Sequence, residues 1–106
     1  FNNNLTIISC NGSITIGSDC IFGWNVTVLN DDFHSLDPSH RRISAHESSG
    51  NISIGKNVLV YSGATILKNV TIGDNSVIAA GAVVTSSIPA NVVAGGVPAS
   101  IIKPVC

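Results

Sequence analysis

From Cys10 onward an apolar residue, usually aliphatic, recurs at every sixth position. Cys10, Ile16, Phe22 and Val28 precede a break, and Ile54, Val60, Ile66, Ile72, Ile78 and Val84 follow it. A period of six matches neither the 3.6-residue turn of an amphipathic helix nor the simple two-residue alternation of a long strand. It fits a solenoid in which three hexads lay three short flat strands around a triangle, so that residues eighteen apart stack at roughly 4.8 Å on the next coil.

Each anchor then faces a narrow interior. The position four residues after an anchor also faces it, and is occupied by Ile14, Cys20, Val26, Val58, Ala64, Val70, Ser76 and Ala82. Asn, Asp and Gly between these positions suit tight corners that need positive φ. Burying one aliphatic side chain is worth about 1.5–3 kcal/mol, so a ladder of them can support a fold in a chain with only 5% aromatic residues.

The fold class is therefore all-β, a parallel β-helix, in one domain over 1–106. The hexad frame slips by two across a polar stretch starting at Asp31-Asp32-Phe33-His34-Ser35-Leu36. An extruded loop is expected at about 34–51. After Pro89 the repeat dissolves, which predicts an irregular C-terminal cap at about 90–106. The chain holds no Met, so Phe1 reads as an internal or processed start with a segment upstream.

Composition narrows the partners. A net charge of −1 with 10% charged residues argues against nucleic acid or a phospholipid surface. No stretch approaches the ~20 apolar residues of a membrane span, and no signal-peptide pattern opens the chain, so a cytoplasmic location is expected. Cys10, Cys20 and Cys106 show no metal-ligand spacing, and the first two fall on inward positions, where they read as small buried hydrophobes. The Asn-x-Ser/Thr triplets at Asn4, Asn11, Asn25, Asn51 and Asn69 arise from corner asparagines preceding strands and do not point to glycosylation.

A long polar loop interrupting a solenoid is a favoured place for function. His34 stands where the chain leaves the body, behind two carboxylates. Histidine exchanges a proton readily near neutral pH, which makes His34 the candidate general base. His40 and His46, deeper in the loop, read as solvated side chains. Three histidines within one loop are a poor match to a γ-type carbonic anhydrase, whose zinc ligands converge across a subunit interface. An ice-binding Thr ladder fails as well, because eighteen residues after Thr15, Thr65 and Thr71 stand Phe33, Val83 and Pro89.

The run Ile72-Gly73-Asp74-Asn75-Ser76-Val77-Ile78-Ala79-Ala80-Gly81-Ala82-Val83-Val84-Thr85, with Ile88-Pro89-Ala90-Asn91-Val92-Val93-Ala94-Gly95-Gly96-Val97-Pro98-Ala99, resembles the C-terminal half of the hexapeptide-repeat acetyltransferases. The branch is that of the galactoside, maltose and polysaccharide O-acetyltransferases, and the loop start at Asp31–Leu36 resembles it too. The resemblance implies a left-handed parallel β-helix, a homotrimer with sites between subunits, acetyl-CoA as co-substrate, a saccharide hydroxyl as acceptor and no metal. It further implies His34 as catalytic base and the Ser62 backbone amide as oxyanion donor. Ala80, one coil along the same edge, would hold the pantetheine arm through its backbone. Thr85, Ser86 and Lys103 would line the remaining cofactor path, and Asn2 and Asp32 would contact the acceptor. Departures are Leu59-Val60-Tyr61 in place of the family's Trp-x-Gly, Ser86 in place of a Lys, and Ser100 in place of a basic residue, which leaves Lys103 as the main cation for CoA phosphate. The alternative is a truncated, inactive solenoid of the same fold.

Overall fold

The computed structural model describes residues 2–3 (backbone only), 5–9, 11–32, 34, 36–41 and 50–106. Its strands are β1 (Asn2–Asn3), β2 (Thr6–Ile8), β3 (Ile14–Ile16), β4 (Ile21–Trp24), β5 (Thr27–Leu29), β6 (Ile52–Ile54), β7 (Leu59–Val60), β8 (Thr65–Ile66), β9 (Val70–Ile72), β10 (Val77–Ile78), β11 (Val83–Val84), β12 (Val92–Gly95) and β13 (Ser100–Pro104). They stack in three sheets ordered β1-β4-β7-β10-β12-β13, β2-β5-β8-β11 and β3-β6-β9. The chain visits the first, second and third face in turn on every coil, as a left-handed parallel β-helix.

The register follows the period. Leu59 pairs with Val77, Thr65 with Val83 and Ile52 with Val70, each eighteen residues apart. Phe22, Val28, Ile54, Val60, Ile66, Ile72, Ile78 and Val84 are buried, and so are Val26, Val58, Ala64, Val70 and Ala82 of the second inward set. Ile14, Ile16 and Cys20 are half-buried, and Cys20 donates its thiol proton to the Gly55 carbonyl at 3.1 Å. Cys10 lies outside the described residues.

The corner between the third and first faces is built on Asp19, Asn57, Asn75 and Asn91, all at φ between 56° and 66°. Their short polar side chains tolerate this left-handed conformation where other side chains would strain. The Asn57 amide donates to Asn75 Oδ1 at 3.0 Å, and Asn75 donates to Asn91 Oδ1 at 2.9 Å, a ladder up the edge.

Three places depart from the eighteen-residue coil. Thr6 pairs with Thr27, twenty-one residues on, so the first coil carries three extra residues between β2 and β3. Ile14 pairs with Ile52, which is 38 residues on and marks an insertion of 20 between β5 and β6, the expected loop. The last coil is two residues short, since Ile72 bridges to Ile88 and Val77 pairs with Val93. Ser76, fully buried, ties its coil to the next corner: its hydroxyl donates to the Pro89 carbonyl at 2.6 Å and accepts from the Val92 amide at 3.3 Å. A buried polar side chain that satisfies two stranded backbone groups stabilises the fold, whereas an unpaired one would cost about 1–3 kcal/mol.

The segment past Pro89, expected as an irregular cap, is more ordered than its sequence suggests. β12 stays in register with β10, and β13 turns back antiparallel, with Val93 opposite Lys103 and Gly95 opposite Ser100. The antiparallel return ends the parallel stacking of the first sheet.

The outward sides of the faces differ. The first carries Ile21, Leu59, Val77 and Val93 in one register row, with Ile21 52% exposed. The third carries Thr15, Ser53 and Thr71, all exposed. The inward ladder carries the apolar burial, so Ile66→Ala should cost about 2–5 kcal/mol in urea unfolding. Thr71→Ala on the solvated face should stay within about 0.5 kcal/mol of the parent. Equal costs would contradict the assignment of inward and outward rows.

Candidate active site

The corner between the first and second faces repeats one turn. Gly63 and Gly81 sit at φ 76° and 70°, each as the third residue of its turn, which is the position where a type II turn needs glycine. In Ala79–Ala82 the closing bond from the Ala82 amide to the Ala79 carbonyl measures 3.2 Å. The glycine amides also tie successive coils: Gly63 donates to the Trp24 carbonyl at 2.8 Å, and Gly81 donates to the Ser62 carbonyl at 2.9 Å. Trp24, Ser62 and Ala80 thus form a vertical column.

The backbone amides of that column are not equivalent. The Trp24 amide donates to Ser62 Oγ at 3.2 Å. Those of Ser62 and Ala80 have no acceptor among the described residues. Both residues are exposed, so the edge presents two vacant donors one coil apart. Gly23 permits the close approach of coils here, since a Cβ at that position would stand 2.8 Å from the Ser62 nitrogen. Trp24 and Tyr61, 59% and 50% exposed, flank the same corner with apolar surface.

The next corner, between the second and third faces, holds the neck of the insertion. The buried Asn30 donates its amide to the Ile8 carbonyl at 3.2 Å, accepts from the Gly50 amide at 2.8 Å and reaches Ser9 Oγ at 3.0 Å through its side chain. These bonds seal both ends of the loop onto the body. Beyond them, Lys68 Nζ lies 2.8 Å from Asp32 Oδ2, and the Asp32 carbonyl accepts from the His34 amide at 2.8 Å. His34 is exposed and stands two residues past an ion pair anchored on the solenoid.

One chain does not bring His34 and Ser62 to one edge. They occupy successive corners, separated by the second face, whose four residues Ala64–Leu67 span about 13 Å at about 3.3 Å each. Thr85 and Ser86 follow β11 on the His34 side and are exposed. Lys103 lies on β13 opposite Val93, at the far end of the first sheet. Asn2 pairs with Phe22 through its backbone in β1. Among the described residues no three His, Cys, Asp or Glu side chains are grouped to hold a metal, and His46 lies outside them. Sequence reasoning missed Lys68, Gly23 and Trp24. The signal for Lys68 was its place eighteen residues before Ser86, and for the other two their place in the frame of Tyr61 and Ser62.

The model of the bacterial transferase hexapeptide (six repeats) family matches residues 51–86. A galactoside O-acetyltransferase of Escherichia coli is 43% identical over 102 residues, covering 96% of this chain and 49% of that protein. The solved structure of a galactoside acetyltransferase in complex with coenzyme A matches with a TM-score of 0.86 at 40% identity, over 96% of this chain and 50% of that one. A hexapeptide-repeat acetyltransferase from Vibrio cholerae, complexed with acetyl coenzyme A, matches with a TM-score of 0.84 at 29% identity, over 97% and 55%. The chain spans about half the length of the curated relatives it matches.

Further out, Asp37 organises the turn it forms with Ser39 and His40. Its carboxylate faces His40 Nδ1 at 3.0 Å and accepts from the Ser39 amide at 3.0 Å and the Ser39 hydroxyl at 2.9 Å. The hydrogen bond with His40, and then those from Ser39, hold its pKa below the ordinary aspartate value. A lowered pKa means that the turn's stabilisation is present above the ordinary carboxylate range and is lost as pH falls through the folded value. In a carboxyl-carbon NMR titration Asp37 should therefore titrate below a free aspartate, with the Ser39 amide shift moving at the same pH. A midpoint at the ordinary value would contradict the arrangement.

Proposed function

Because the chain belongs to the bacterial hexapeptide-repeat transferase family, we propose that it is the catalytic solenoid of an acetyl-CoA-dependent O-acetyltransferase whose acceptor is a hydroxyl of a sugar or polysaccharide precursor. The observation that carries this reading is the pair of vacant amides at Ser62 and Ala80. Backbone donors are fixed before the reaction and need no reorganisation as negative charge develops on a thioester carbonyl oxygen.

His34 takes the proton of the acceptor hydroxyl, and the oxygen attacks the acetyl carbonyl. The tetrahedral oxyanion receives a hydrogen bond from the Ser62 amide. Collapse breaks the carbon–sulfur bond, and the leaving thiolate recovers the proton from the imidazolium, so that acetyl ester and free CoA thiol are the products. The Ala80 amide, one coil along, holds an amide carbonyl of the pantetheine arm. Thr85, Ser86 and Lys103 serve the cofactor's outer part, with Lys103 facing phosphate. Asn2 contacts the acceptor. Asp32, tied to Lys68, contributes by fixing His34 more than by touching the sugar.

Since His34 and Ser62 stand at different corners, a complete site joins His34 of one copy to Ser62 and Ala80 of a neighbour. The apolar row Ile21, Leu59, Val77 and Val93 offers a surface for such packing, and three copies close the arrangement with every site complete. Light scattering should return three times the 10.9 kDa chain mass. His34→Ala should lower acetyl transfer about 10²–10⁴-fold, assayed as thiol released from acetyl-CoA in the presence of a saccharide acceptor, with fold and assembly unchanged. Unchanged turnover in that variant, or a monomer at micromolar concentration, would favour an inactive structural solenoid.

A further inference from the structure

The column Trp24, Ser62, Ala80 shows why some of its amides are vacant. The Ser62 hydroxyl reaches down one coil and accepts from the Trp24 amide at 3.2 Å. The same register carries Ser62 to Ala80, because Leu59 pairs with Val77 and Val60 with Ile78, just as Ile21 pairs with Leu59 and Phe22 with Val60. The glycine amides link the coils in the same way, Gly63 to Trp24 and Gly81 to Ser62. What differs is the side chain. A serine in this column caps the amide one coil below, and Ala80 has no oxygen with which to do so. The column continues through the pairing of Ile78 with Ala94 to Gly96, which has no side chain, and the Ala80 amide is left vacant in turn.

We infer that Ala80 is a positioning residue: by lacking a side-chain acceptor it keeps the Ser62 amide open for the oxyanion. The inference rests on the proposed role of Ser62 and extends it, because the side chain one coil along sets whether a backbone donor of this edge is free. A hydroxyl at position 80 would occupy the donor before substrate arrives, and the oxyanion would have to displace it. The factor involved is that of one net hydrogen bond, about five- to tenfold.

The test is amide hydrogen exchange, followed by NMR on the assembled protein, for the parent, Ala80→Ser, Ala80→Cys and Ser62→Ala. The Ser62 amide of the parent should exchange without protection. Ala80→Ser should slow it about five- to tenfold, and Ala80→Cys, similar in size with a poor acceptor, should slow it less. Ser62→Ala should speed exchange at Trp24 by a similar factor, which checks the rule on a second rung. An open Ser62 amide whose exchange is unmoved by Ala80→Ser would overturn the inference and leave the proposed reaction untouched, whereas a Ser62 amide already protected in the parent would overturn both. In turnover, Ala80→Ser should lower kcat by the same factor as the exchange rate, with KM for acetyl-CoA changed less. A protected Ser62 amide with full kcat would uphold the gating and sink the oxyanion role of Ser62.

Discussion

The inward stacking of aliphatic side chains, rung on rung, is the constraint on which the molecule depends. Each coil is closed by short strands of two to four residues, too short to be stable alone, and gains order only from the coil beneath it. The hydrogen bonds between coils run along the stack and the apolar contacts fill its centre, so the fold is close to one-dimensional. Its corners are forced into left-handed backbone, which is why Asn and Gly recur there. The edge that carries Ser62 and Ala80 inherits this rigidity: their vacant amides sit between strands locked above and below.

The 20-residue insertion shows how much irregularity such a stack accepts. Ile14 still meets Ile52, and Thr27 still meets Thr65, as though the loop were absent. The closure entropy of a flexible loop grows only slowly with length, by about 0.6 kcal/mol per doubling, so the cost falls mainly on the neck. Asn30 and Gly50 carry it by pairing backbone with backbone across the neck. Lys68 and Asp32 then add a tie beyond the seal. Partly exposed pairs of this kind contribute little to global stability, and this one stands two residues before His34.

The sequence revealed most of the solenoid because its energetics are periodic: a residue's place modulo eighteen says whether it faces in, faces out or turns a corner. Ser76 was assigned inward from its place alone, although it is polar, and it is buried there. What escaped was whatever breaks the period through pairing rather than pattern. The three extra residues before Ile14 lie in a segment whose Asn11-Gly12 turn signal looks like any other corner of the repeat, and the antiparallel return of β13 depends on partners in β12 that no local rule identifies. Of the candidate site, His34 was singled out by its place at the loop's edge and Ser62 and Ala80 by the family resemblance alone, whereas the tie from Lys68 to Asp32 and the separation of His34 from Ser62 by a whole face are facts of three-dimensional register, blurred in the sequence by the loop's uncertain length.

That separation makes the central claim testable without a ligand-bound structure. Ser62 is the second residue of its turn, where proline is well accommodated, so Ser62→Pro removes the amide hydrogen while suiting the backbone. Chains carrying His34→Ala and chains carrying Ser62→Pro, each inactive alone, can be unfolded, mixed in equal amounts and refolded together. If each site joins His34 of one copy to Ser62 of the next, random cyclic assembly restores both groups in about a quarter of the sites, and acetyl transfer should return to about a quarter of the parent's. A mixture no more active than its two parents would mean that both groups act within one chain, and would contradict the account.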